Sequence, residues 1–118
     1  GVVMALGYLL TEELQVDAAG AQLNLGSWHY KIPTPYDIPL AFNVALLQHS
    51  PNPTGILGSK ASAEPAMPLV AAVYLAVKEA LYAARTEMGF SGWFGLDLPL
   101  TPQRIRDAIG TQTMTVPP

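Results

Sequence analysis

Residues 58–69 read GSKASAEPAMPL, and the chemistry available there rests on one side chain, the carboxylate of Glu64, set between small residues and a proline. Pro65 biases Glu64 out of the α region, which puts it at or just before the first turn of the helix that follows. Unpaired N–H groups and the helix dipole at that place favour the ionised carboxylate, whereas burial favours the protonated form. Two roles are therefore open. Glu64 caps its helix, or it is held ionised in an apolar pocket and acts as a general base at neutral pH.

The other chemistry-bearing residues offer less. A Walker loop needs a lysine directly after its second glycine and a hydroxyl residue directly after that lysine, and the order Gly58-Ser59-Lys60-Ala61 breaks this pattern. Small residues before a helix N-terminus still leave N–H groups open to an anion. His29 sits in a proline-rich arm and His49 follows a strand-like run, with no acid or second histidine at ligand spacing, so no metal-ligand set is expected. Glu12 and Glu13 project about 100° apart on a helix, too divergent for a catalytic dyad, and are expected at a solvated helix end.

The elements that must position Glu64 follow from apolar spacing and turn residues. VVMALGYLLTEE, residues 2–13, predicts a helix that is apolar around its first two turns and hence buried for most of its length. LQVDAAGAQLNL predicts a hairpin around Asp17-Ala-Ala-Gly20, with Gly20 at positive φ. The prolines of SWHYKIPTPYDIP, residues 27–39, predict an extended arm. AFNVALL, residues 41–47, predicts a strand closed by the turn residues HSPNPTG. A long buried helix is expected from about Pro65 to Arg85, with only its far end in water. A short helix is signalled by Thr101 as N-cap, Pro102 at the first position and Gly110 as the stop, followed by an extended tail over 110–118. The fold class expected is α+β.

Composition bounds the partners. The 118 residues are half apolar and only 13% charged, with a net charge of −3 and six Lys and Arg scattered along the chain. Soluble domains carry about 25% charged residues, so the chain reads as a piece of something larger. No basic stripe is present to neutralise phosphates, which argues against a nucleic-acid partner. The longest apolar run falls short of the ~20 residues of a membrane span, and Lys78 and Glu79 interrupt the later one, so no membrane span is expected. With no cysteine there is no disulfide, thiolate zinc site or iron–sulfur ligation within the chain, which is compatible with a cytoplasmic setting.

The segments LGYLLTEEL, YKIPTPYDIPLAFNVALL, SPNPTGILGSKASAEP, LVAAVYLAVKEALYAAR and TPQRIRDAIG together resemble, in order and spacing, the C-terminal end of the molybdenum hydroxylases, the xanthine dehydrogenase and aldehyde oxidase family. The most specific piece is SKASAEP, which is similar to the family's Ser-Lys-Ala-x-Gly-Glu-Pro-Pro signature and puts Glu64 on the family's catalytic glutamate. The resemblance implies that residues 1–118 are the C-terminal segment of a molybdopterin-binding domain, inactive alone, with molybdenum–molybdopterin as cofactor. It implies that FAD and [2Fe-2S] clusters belong to other parts of a homodimeric parent enzyme. It further implies oxidative hydroxylation of an aldehyde or N-heterocycle with water as oxygen source. Glu64 would act as general base toward the molybdenum-bound hydroxyl without ligating the metal, and Ala61, Ser62 and Ala63 would line the molybdopterin side of the pocket through backbone N–H groups. The KAS and YKIPT stretches lean toward aldehyde-oxidase-like members.

The chain departs from the family pattern at three positions: Ala63 stands for a glycine, Ala66 for a proline, and Met4 for a glutamine that contacts the cofactor. If that glycine takes positive φ, alanine costs about 1 kcal/mol or shifts the loop and Glu64 with it. The alternative from another class is a non-catalytic structural or subunit-contact domain in which Glu64 only caps its helix.

Overall fold

The computed structural model describes residues 1–110 of the chain. Four α-helices carry it: α1 (Val2–Leu10), α2 (Ala66–Leu69), α3 (Ala71–Glu87) and α4 (Pro102–Ile109). Two short 3₁₀ turns, Pro35–Asp37 and Ile56–Gly58, punctuate the long connection between α1 and α2. The expected tail lies, from residue 111 on, outside the described residues.

The core forms where α3 meets α4 and the segment that joins them. Leu81, Phe94, Leu96 and Leu100 are its buried side chains, with Tyr74, Val77, Tyr82, Ile105 and Ile109 packed around them. Tyr74, Val77, Leu81 and Tyr82 recur at helical spacing on one face of α3, so α3 buries a single stripe. No element is expected from the sequence for residues 88–100, yet they supply Phe94, Leu96 and Leu100. Gly89 and Gly92, at φ of 84° and 92°, turn the chain back under α3. The Tyr74 hydroxyl donates to the Leu96 carbonyl (3.0 Å) and the Tyr82 hydroxyl to that of Gly92 (3.1 Å). The Leu100 N–H donates to the Leu9 carbonyl at 2.7 Å and ties α1 to this core. α4 has the expected ends: the Thr101 hydroxyl accepts from Arg104 N–H, Pro102 stands at the first turn, and Gly110 stops the helix at φ 91°.

Several expectations need correction. α1 is buried only in part, at Ala5, Gly7 and Leu9, while Met4 and Tyr8 stay about two-thirds exposed. The long helix is divided at Val70, where the N–H groups of Val70 and Val73 reach back three residues instead of four. It is also far from buried: Leu69 and Leu75 are exposed and Leu81 alone is fully covered. The run Ala66–Glu87 is long and apolar enough, by length and composition, to cross a membrane, and a core helix of a larger protein has the same character.

The sheet half of the α+β expectation has no support among the described residues, which contain helices and no strand ladder. The hairpin reduces to one antiparallel bridge, Val16 with Gln22, around a turn with Gly20 at φ 84° and the Asp17 carboxylate accepting from Ala19 and Ala21 N–H. Residues 41–47 form no strand, and Leu46 and Leu47 lie exposed. A strand needs a partner edge and a hydrophobic face to pack, and a two-stranded ribbon is marginal by itself. The radius of gyration, 19.6 Å over extents of 74 × 38 × 26 Å, is well above the roughly 13–14 Å of a compact domain of this length.

Candidate functional site

The stretch that presents Glu64 is anchored at both ends and unsupported in between. Upstream, residues 50–60 close into a loop: Gly55 N–H donates to the Asn52 carbonyl (3.3 Å), Gly58 N–H to that of Gly55 (3.0 Å) and Ser59 N–H to that of Ile56 (2.9 Å). The Asn52 amide spans the loop, donating from Nδ2 to the Ser59 carbonyl at 2.5 Å and accepting at Oδ1 from the Thr54 hydroxyl at 3.2 Å. Lys60 Nζ donates to the Ser50 carbonyl. Leu57 occupies the left-handed region at φ 52°, which a branched side chain adopts only when its surroundings impose it.

From Lys60 to Glu64 the backbone N–H groups make no hydrogen bond among the described residues. At the far end, Ala66 N–H reaches the Ala63 carbonyl (3.1 Å) and Met67 N–H that of Glu64 (3.2 Å), which starts the turn leading into α2. Ala63 abuts the N-terminus of α1 so closely that a side chain on Gly1 would begin 2.7 Å from the Ala63 β-carbon. Ala63 itself does not take positive φ, so alanine in place of glycine carries no backbone penalty there; the small residue this contact requires is Gly1.

Glu64 is exposed within this chain, and its carboxylate has no hydrogen-bond or ion-pair partner among the described residues. The N-cap of α2 is Pro65, and no side chain caps the helix, so Glu64 makes no capping bond. α2 is only four residues long, too short to present the dipole of a full helix. Ala61 and Ser62 are exposed and Ala63 half-buried, which leaves three successive N–H donors and one free carboxylate in a row. Among the described residues no three His, Asp or Glu side chains stand close enough to hold a metal ion. A metal here would have to arrive with its own ligands, and open N–H donors beside a free acid suit an oxygen- and nitrogen-rich cofactor that does so. Behind Ala66 opens a cleft of about 490 Å³, almost wholly apolar, between Val2, Leu6, Phe42, Leu69 and Val73. Met4, on α1, remains exposed.

The remaining candidates lie apart from Glu64. Glu12 and Glu13 stand just beyond the C-terminal end of α1, whose opposite end touches Ala63, about 14 Å away by helical rise. They are not a solvated helix end: Glu12 accepts from the Tyr30 hydroxyl at 2.8 Å, and Glu13 pairs with Arg104 at 2.7 Å. The bond to Glu12 pushes the Tyr30 phenol above its ordinary range. Nothing in the spacing pointed to Tyr30 or Arg104, since the Glu13–Arg104 pair closes over 91 residues. His29 and His49 are exposed loop residues.

No family model matches the chain. Among curated proteins, it is 46% identical over 113 residues to xanthine dehydrogenase 1 of Arabidopsis thaliana, covering 90% of the chain and 8% of the relative. It is 43% identical over 106 residues to xanthine dehydrogenase/oxidase of Gallus gallus, covering 90% of the chain and 8% of the relative. To xanthine dehydrogenase/oxidase of Mus musculus it is 39% identical over 117 residues, covering 97% of the chain and 9% of the relative. The chain thus spans less than a tenth of the length of these relatives, and their names give no support to an aldehyde-oxidase leaning.

Proposed function

Because the chain belongs, as a short segment, to the xanthine dehydrogenase family, we propose that it is the part of a molybdenum hydroxylase that supplies the general base, Glu64, for oxidative hydroxylation of an N-heterocycle with water as the oxygen source. The names of the relatives favour an N-heterocycle of the purine kind over an aldehyde as substrate. The observation that carries the reading is the carboxylate of Glu64, which caps nothing and has no partner among the described residues, at the end of a strut held at both ends.

Molybdenum–molybdopterin, when bound, supplies the redox chemistry and an acidified hydroxyl. The backbone N–H groups of Ala61, Ser62 and Ala63 bind and orient the pterin side. Glu64 would accept one proton on a carboxylate oxygen from the cofactor's acidified hydroxyl and release it after the product has left. Met4 has a thioether where a glutamine would donate, so it adds apolar contact and no hydrogen bond to the cofactor. Other parts of the parent enzyme cover the exposed faces of α1, α3 and residues 40–47, exclude water from Glu64, and hold FAD and the [2Fe-2S] clusters. The parent is a homodimer in the cytoplasm.

The test is Glu64→Gln in the full-length protein, assayed with a purine and with an aldehyde. The reading expects turnover on the purine to fall by about 10²–10⁴-fold at unchanged molybdenum content. Retained turnover, or activity confined to the aldehyde, would count against it.

A further inference from the structure

We propose that Asn52 is a positioning residue for Glu64, acting as a clamp that closes residues 52–59 and thereby sets where the strut 60–64 leaves the loop. The inference rests on Glu64 being the base and adds what holds it in register. The strut's N–H groups make no hydrogen bond among the described residues, and its only backbone bonds there are those that the Ala63 and Glu64 carbonyls accept at the α2 end, so its course is decided at its ends. One end is the contact of Ala63 with Gly1. The other is the Ser59 carbonyl, held by Asn52 Nδ2 at 2.5 Å, with Lys60 Nζ on the Ser50 carbonyl beside it.

The clamp is directional. The Thr54 hydroxyl donates to Asn52 Oδ1 and so fixes which end of the amide faces Ser59. Asn52 is half-buried, and a side chain on Gly55 would collide with its amide and come within 2.5 Å of the Ser59 carbonyl, so the closed loop has no slack at this point. The left-handed Leu57 and Gly58 lie inside the span that Asn52 closes, and release of the amide allows Leu57 to relax toward an ordinary conformation. Such a change shifts Ser59 and everything the strut carries. A misplacement of about 1 Å at a catalytic group costs on the order of a hundredfold in rate.

Asn52→Asp is nearly isosteric and places a carboxylate oxygen against the Ser59 carbonyl, so it opens the clamp without emptying the site. In the full-length holoenzyme, the expected result is a fall in kcat of about ten- to hundredfold with KM and molybdenum content unchanged. Amide exchange should quicken at Gly58 and Ser59 and not in α3. Adding Asn52→Asp to Glu64→Gln should cost no further residual rate, because both act through one carboxylate. Thr54→Val, which removes only the hydroxyl that orients the amide, gives the same pattern more weakly and serves if the Asp variant fails to fold. Unchanged kcat in Asn52→Asp while Glu64→Gln is inactive overturns the clamp and leaves the base standing. An equal loss in both backgrounds also overturns it. Full turnover in Glu64→Gln overturns the base, and the clamp's role with it, whatever Asn52→Asp does.

Discussion

Arg85 offers the sharpest structural prediction. Its Nη1 donates to the Ala108 carbonyl at 2.7 Å and to that of Ile109 at 3.3 Å, two of the C-terminal carbonyls of α4 that have no partner within the helix. Its guanidinium also lies 5.0 Å from the Phe90 ring centroid and 4.7 Å from that of Phe94. A hydrogen bond from a charged donor contributes about 1.5–3 kcal/mol and each partly exposed cation–π contact about 0.5–1 kcal/mol. The two bonds share one nitrogen and the second is long, so the sum falls toward the low end. Arg85→Met should destabilise the last turn of α4 by about 2–3 kcal/mol, or roughly 30- to 160-fold in its opening equilibrium. Arg85→Lys keeps the charge without the planar fork and should lose about half of that. The full-length protein does not suit a single global unfolding energy, so the assay is native-state amide exchange of residues 105–110. A change in exchange there of less than about threefold, or an opening of α1 as large as that of α4, would exclude this role for Arg85.

Two further outcomes follow from the core and from one carboxylate. Leu100 is 1% exposed at the junction of α1, α3 and α4, so Leu100→Ala should cost about 2–5 kcal/mol, read as faster exchange at Leu81 and Leu96. The Thr34 N–H, with its hydroxyl, holds the Asp37 carboxyl below the ordinary carboxylate range and closes the 3₁₀ turn at Pro35–Asp37. That contribution is present above the unfolded value and lost as pH falls through the lowered one. Exchange at Asp37 N–H, corrected for intrinsic rate, should therefore quicken only below the ordinary range, and Asp37→Asn should remove the pH dependence.

What could be read from the sequence was local. Thr101, Pro102 and Gly110 state the ends of α4 because capping depends on neighbouring residues alone, and Gly20 marks its turn for the same reason. Glu64 stood out because it is a lone acid beside a proline. The extent of burial was not legible: an apolar circumference on α1 or α3 gives the capacity to pack, and the surfaces that would meet Tyr8, Leu75 or Leu47 are not supplied by these residues. The same lack leaves residues 41–47 without a strand partner. Arg104 with Glu13, and the buried return of Phe94, Leu96 and Leu100, are long-range consequences of topology that no spacing rule encodes. The clamp at Asn52 was hidden because an asparagine between prolines reads equally well as an ordinary turn residue.

If the Glu64 carboxylate takes a proton during the chemical step, a single-turnover rate measured anaerobically with excess enzyme isolates that step from product release and electron exit. Glu64→Gln, matched to wild type in molybdenum content, should slow that one turnover by at least a hundredfold while its amide-exchange map stays the same. A Glu64→Gln enzyme that completes the turnover within a few-fold of the wild-type rate would show that Glu64 is not the base.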